Sequence, residues 1–274
     1  MENKAIGVFD SGLGGLTVAK EIMKLLPNEK IVYFGDTARV PYGSKSEKVV
    51  VKYSKEITNF LLTKNIKMLV IACNTATAMA LDEIQKCVDI PVIGVIKPGS
   101  RRACKTTVNK RIGIIGTKGT VESGTYPKEI KNIDSSCEVF QKSCPLFVPL
   151  IEEGMLEDSV TMDIAQRYLR DFDNTGIDTL VLGCTHYPLI KETLKKIVKE
   201  KVILIDSAEE TAIEVRAILY NKRILRHEKG EESEFYVSDS PARFVEVGKL
   251  FLGESLKKAE FVDIEKYSID EIKY

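Results

Sequence analysis

The chain has only two histidines, and none of its six cysteines is paired as CxxC, so a structural zinc site lacks ligands in register. Those cysteines, at positions 73, 87, 104, 137, 144 and 184, are also too dilute in 274 residues for a disulfide scaffold. No segment approaches the roughly 20 consecutive apolar residues that span a bilayer. The opening MENKAIGVFD has no apolar stretch of the signal-peptide kind. Excess charge is missing too: 40 Lys plus Arg balance 40 Asp plus Glu, which removes the electrostatic motive for nucleic acid or an anionic membrane as partner. The expectation is a cytoplasmic protein of two ordinary domains, with no nucleic-acid and no membrane partner.

What the chain does contain is a hydrophobic phrase written twice. Met68-Leu69-Val70-Ile71-Ala72-Cys73-Asn74-Thr75 and Thr179-Leu180-Val181-Leu182-Gly183-Cys184-Thr185-His186 are runs too unbroken for a strand with one wet face. Each therefore predicts a buried strand that delivers a cysteine at its carboxyl end, the edge where open α/β sheets hold ligands. The phrases sit in matching contexts. Strands are predicted at 5–9, 30–34, 68–72 and 91–96, with helices at 16–26, 49–64 and 76–87 between them. After Lys97-Pro98-Gly99 the alternation restarts, with a short helix at 100–107 and strands at 111–116, 139–142, 179–183 and 202–205. The helices of this second unit fall at 122–131, 158–172 and 189–198, and 144–153 reads as a loop with two prolines. Seventeen residues after either cysteine the chain reaches Ile90 or Lys201, at the threshold of the next strand.

This is the pattern of an α/β protein with two pseudo-symmetric three-layer domains, each with a mainly parallel central sheet and the active site in the cleft between them. The tail, with a helix at 208–219, a strand at 235–238, a helix at 241–252 and a last strand at 259–263, has too little apolar content for a third core. It is expected to pack on the first unit, giving domains 1–97 plus 207–274 and 98–206.

Cys73 and Cys184, each followed by small polar residues and a helical segment, are the first catalytic candidates. Oriented amide N–H groups at a helix start are expected to pull such thiols below the usual value of about 8.5. One cysteine of this kind is ordinarily a small buried hydrophobe. Two in matched positions, both trailed by hydroxyl or amide residues, are not explained by packing. Asp10-Ser11-Gly12-Leu13-Gly14-Gly15 resembles a phosphate-binding turn without the GxGxxG or Walker signature; it suits an anion such as a carboxylate, or else is a tight turn with Asp10 or Ser11 as helix cap. Asp36 ends the second strand and is a candidate proton carrier or orienting group. Glu152 and Glu153 follow an apolar approach, and His186 stands two residues from Cys184 as a candidate acid/base partner.

Taken together, Phe9-Asp10-Ser11-Gly12-Leu13-Gly14-Gly15, Gly35-Asp36, Pro41-Tyr42-Gly43, Ala72-Cys73-Asn74-Thr75-Ala76, Gly116-Thr117 with Thr120, and Leu182-Gly183-Cys184-Thr185-His186-Tyr187-Pro188 resemble the motifs of glutamate racemases, cofactor-independent enzymes that supply D-glutamate for peptidoglycan. The resemblance covers 6–208. It implies that Cys73 acts on D-glutamate and Cys184 on L-glutamate, assisted by Asp10 and His186 respectively, with Asp36 and Glu152 as acidic neighbours. It further implies that Asp10, Ser11, Pro41, Tyr42, Gly43, Asn74, Thr75, Thr117, Thr120, Thr185 and His186 hold the substrate, that no cofactor or metal takes part, and that the protein is a homodimer. An aspartate racemase of the same mechanism and a non-enzymatic two-lobed binding protein are the rival readings.

Overall fold

A computed structural model describes residues 2–198 and 200–268; the first residue and the last six of the expected first domain lie outside the described residues. The strands are β1 (Ala5–Asp10), β2 (Ile31–Gly35), β3 (Ile66–Ile71), β4 (Val92–Gly94), β5 (Arg111–Gly116), β6 (Glu138–Ser143), β7 (Thr179–Gly183), β8 (Ile203–Asp206), β9 (Glu234–Val237) and β10 (Glu260–Phe261). They form two sheets, ordered β10-β9-β2-β1-β3-β4 and β6-β5-β7-β8, in which every strand pair is parallel. The order β2-β1-β3-β4 is the order β6-β5-β7-β8, so the duplicated phrase of the sequence is a duplicated sheet.

The unbroken apolar runs have the burial that their composition demands. All residues of β1, β2, β3 and β7 are buried, because helices cover both faces of a parallel sheet. Each fully buried Val, Leu or Ile there contributes about 1.5–3 kcal/mol of transfer free energy. The repeat reaches single contacts. A Cβ on Gly7 in β1 would sit 2.7 Å from Ile66 Cδ1, and one on Gly113 in β5 would sit 2.7 Å from Ile177 Cδ1. In both sheets a strand gives up a side chain so that an isoleucine, from β3 in one and from the segment just before β7 in the other, can fill the layer.

The structure departs from the sequence expectations at four places. Strand 91–96 is cut to β4 because Ile96 already begins a helix, Ile96–Thr106, with Lys97-Pro98-Gly99 inside its first turn. A first-turn proline is tolerated because the N–H it lacks has no intrahelical partner there. The helix at 122–131 is two helices, Lys118–Glu122 and Thr125–Ile133, broken at Gly124, whose φ of +65° no helix accepts. Segment 144–153 is not a plain loop: Phe147–Glu152 is helical, again with its proline in the first turn. The helix at 189–198 is a 3-10 turn, Tyr187–Ile190, followed by a short α-helix, Lys191–Lys195. The tail does return to the first sheet, where β9 pairs with β2 and β10 with β9. Its helix Ser207–Asn221 packs on Leu16–Leu25 and on Ile96–Thr106, touching both halves of the duplication.

Candidate active site

Because all strands of a sheet point the same way, their carboxyl ends lie along one edge. There β1 ends on Asp10, β3 runs into Cys73 and β7 into Cys184. These two edges face each other across a cavity of about 460 Å³ lined by both cysteines, a size suited to a small metabolite. Cys73 caps the helix Asn74–Cys87: its Sγ accepts the N–H of Ala76 at 3.4 Å and its thiol donates to Ser11 Oγ at 3.6 Å. Across the cavity, Cys184 Sγ is 3.9 Å from His186 Nδ1, and His186 Nε2 is 2.9 Å from Glu152 Oε1. The imidazole is fixed further by the ring of Phe251, edge-on at 5.3 Å.

The expected depression of the two thiols is overturned. Burial, helped by the nearby Asp10 carboxylate, pushes Cys73 up to about 11 against the lowering by the Ala76 N–H and Ser11. Burial likewise raises Cys184, past the lowering by the backbone N–H of His186. A helix start offers partial charges, whereas removing a thiolate from water costs more than they return. Asp10 is itself buried and raised by desolvation, opposed first by the charge of His186. Its carboxylate accepts the N–H of Gly12 at 2.9 Å and the hydroxyl of Thr185 at 3.4 Å, so it caps the turn rather than the helix.

The remaining sequence candidates divide. Ser11, Pro41, Tyr42, Gly43, Asn74, Thr75, Thr117, Thr185, His186 and Glu152 all line the cavity. Asn74 Oδ1 accepts the Tyr126 hydroxyl at 2.8 Å while its buried Nδ2 has no hydrogen-bond partner. Thr75 Oγ1 meets Thr117 Oγ1 at 2.8 Å and Thr120 Oγ1 at 3.3 Å, a hydroxyl cluster that joins the two edges. Thr120 stands behind this cluster, fully buried. Glu153 turns outward to Arg243, 3.5 Å away, which leaves Glu152 as the inward carboxylate.

Asp36 does not reach the cavity. It is fully buried and its oxygens are occupied by Arg39 Nε at 2.8 and 3.0 Å, Ser238 Oγ at 2.8 Å and the Tyr42 hydroxyl. With no oxygen free it cannot carry protons to a ligand. The cavity also takes in Val40, Lys118, Ser143, Pro145, Val148 and Pro149, which sequence reasoning missed. Three of them, Pro145, Val148 and Pro149, sit on the stretch read as a loop, where the prolines and the apolar approach to Glu152 hinted at a wall.

The edges touch as well as face. A Cβ on Gly14 would lie 2.7 Å from His186 Cε1 and closer still to His186 Nδ1 and Thr185 Oγ1, and one on Gly43 would lie 2.8 Å from Thr117 Cβ. The hydroxyl of Thr17 donates to the Thr185 carbonyl at 3.1 Å. Such an arrangement holds two thiols, each with an acidic or basic neighbour, around one small enclosed volume rich in hydroxyl and amide donors.

The sequence model of the Asp/Glu/hydantoin racemase family matches residues 6–215. The chain is 53% identical over 264 residues to the glutamate racemase of Geobacter metallireducens, covering 96% of this chain and 97% of that one. It is 47% identical over 267 residues to the glutamate racemase of Bacillus cereus, covering 96% and 98%. The crystal structure of glutamate racemase from Francisella tularensis in complex with D-glutamate superposes with a TM-score of 0.92 at 40% identity, over 97% of this chain and all of the other. The chain therefore belongs to the Asp/Glu/hydantoin racemase family, among its glutamate racemases.

Proposed function

We propose that the chain interconverts L- and D-glutamate, one of Cys73 and Cys184 removing the α-proton while the other delivers its own proton to the opposite face. The observation that carries this reading is the placement of one thiol at each edge of a single cavity, on strands related by the internal duplication. Inverting a carbon requires a base on one face and an acid on the other, and two equivalent strand ends supply two groups of one kind.

In the D-to-L direction, Cys73 as thiolate takes the α-proton and becomes a thiol. The carbanion spreads its charge into the α-carboxylate, and the Cys184 thiol delivers a proton to the opposite face and becomes a thiolate. The reverse direction exchanges the roles. Forming the Cys73 thiolate near pH 7 from a thiol raised to about 11 costs about 5 kcal/mol. The substrate's ammonium, entering beside the sulfur, offsets part of this cost, because an adjacent positive charge favours the thiolate. Asp10 beside Cys73, and His186 held by Glu152 beside Cys184, are the groups that accept and return the thiol protons. Asn74, Thr75, Thr117 and Thr185 hold the carboxylates through amide and hydroxyl donors aimed into a water-poor cavity, where they stabilise the developing charge. No cofactor takes part in this scheme.

Within the same reading, the lobes 1–97 plus 207–274 and 98–206 close on the substrate, and the enzyme works as a cytoplasmic homodimer that supplies D-glutamate for peptidoglycan. The test is racemisation by purified, dialysed protein without additives, followed by chiral separation of the enantiomers. Cys73→Ala and Cys184→Ala should each abolish it with the fold intact. Turnover by either variant at the parental rate refutes the two-thiol scheme, and conversion of aspartate in preference to glutamate refutes the substrate.

A further inference from the structure

The loop 36–44 carries Val40, Pro41, Tyr42, Gly43 and Ser44 to the cavity, yet it has little regular structure of its own beyond the 3-10 turn Tyr42–Ser44. Its position is set by a buried charged cluster behind it. Arg39 Nε donates to both oxygens of Asp36, at 2.8 and 3.0 Å, and its Nη1 donates to Glu56. The guanidinium lies over the ring of Tyr53, 3.9 Å from the centroid, and Tyr53 in turn packs on Tyr42 with ring centroids 5.8 Å apart. Tyr42 closes the circuit by donating its hydroxyl to Asp36. The tail joins in, since Ser238 donates to Asp36 at 2.8 Å and accepts the Ala38 N–H at 2.9 Å.

Among the described residues only Arg39 lies within salt-bridge reach of both carboxylates, and it is the group that makes this cluster tolerable. Asp36 and Glu56 are fully or nearly fully buried, and the other cation near Glu56 is the exposed Lys52 at 3.8 Å. A planar fork satisfies two carboxylates and an aromatic face at once, which an ammonium cannot do. Burial beside Asp36 holds the Tyr42 phenol well above its usual range, so it remains a donor.

We infer that Arg39 is a positioning residue for the reaction: through Asp36 and Tyr42 it sets the backbone of Tyr42 and Gly43 against Thr117, and so the wall on which the substrate's carboxylate rests. This inference depends on the cavity being the substrate site. It assigns Asp36 to the same task, in place of proton transfer.

The experiment compares Arg39→Lys, Tyr42→Phe and the double variant with the parent enzyme, measuring kcat and KM for both glutamate enantiomers together with melting temperature. Arg39→Lys keeps the charge and loses the fork; Tyr42→Phe keeps the ring and loses only the bond to Asp36. Each single variant should raise KM on the order of tenfold with kcat within about threefold, as expected when binding geometry and not the proton transfer is disturbed. The double variant should be no worse than the poorer single one, because both break one circuit. KM unchanged in folded Arg39→Lys, or additive effects in the double variant, overturns the inference. Should Arg39→Lys fail to fold, an unchanged KM in Tyr42→Phe overturns it alone. Failure of the functional reading looks different, since the parent enzyme itself would then not racemise glutamate.

Discussion

Gly14 gives a prediction in which the perturbation is one methyl group and the geometry sets the size of the effect. Its φ is not in the left-handed region, so alanine imposes no backbone strain there. The added Cβ would instead stand 2.7 Å from His186 Cε1 and nearer to Nδ1 and to Thr185 Oγ1. None of these neighbours is the free end of a flexible chain: His186 is held by Glu152 and wedged against Phe251, and the backbone of Thr185 is tied to Thr17. The lobes must therefore part, or the imidazole must leave Cys184. Overpacking of this kind costs about 1–3 kcal/mol, and in a chain of this size each kcal/mol lowers the melting temperature by roughly 2–4 °C. A displacement near 1 Å of an acid/base group costs on the order of 100-fold in rate. Gly14→Ala should thus fold, melt a few degrees early and lose about two decades of kcat/KM. Gly176→Ala is the control: at φ +69° it costs about 1–2 kcal/mol of backbone conformation, but its Cβ meets nothing nearer than Arg111 at 3.6 Å, and its activity should be parental. Parental activity in Gly14→Ala, with the same modest destabilisation, would falsify the claim that contact between the lobes sets the acid/base geometry.

Further expectations follow from the same geometry. Glu152→Gln should lower kcat/KM by about 10²–10⁴, and equally in both directions because enantiomers have the same free energy; no loss would show that the Glu152–His186 pair is idle. Cys73 is raised from 9.0 to about 11 in the fold, so between those values the folded chain holds more protons than the unfolded one and stability falls as pH rises. Denaturant titrations of the parent and Cys73→Ala should diverge across that window, the parent losing about 2 kcal/mol relative to the variant by pH ~11, and parallel curves would mean that the thiol is not raised. Asn74→Ala should raise KM about tenfold through loss of its free amide donor, and an unchanged KM would remove Asn74 from the carboxylate site.

Much of the fold was legible because its cause is local. Runs such as 68–72 and 179–183 have no wet face, and only a parallel sheet covered on both sides accommodates them. Their repetition with equal spacing made the duplication visible before any topology. Helix starts were misjudged where proline read as a break, at Pro98 and Pro149, since its tolerance in a first turn depends on which residue begins the helix. The two sulfurs were found from their strand-end positions, but their titration was misjudged. A helix start is written in neighbouring residues, whereas burial and the approach of Asp10 come from elements brought together by the fold. Asp36 failed for the same reason: Ser238 reaches it from the tail, 202 residues away, and Tyr42 reaches it only because the loop 36–44 turns back on it. Gly14 looked like part of an anion-binding turn, and only the packing of the lobes shows why a side chain there has no room.

The most direct test of the two-sided transfer is hydrogen exchange at the α-carbon in heavy water with each single-cysteine variant. Cys184→Ala, retaining Cys73, should exchange the α-hydrogen of D-glutamate with retention of configuration and leave L-glutamate untouched; Cys73→Ala should do the reverse. Exchange of both enantiomers by one variant, or inversion accompanying the exchange, would mean that a single group reaches both faces and would contradict the account.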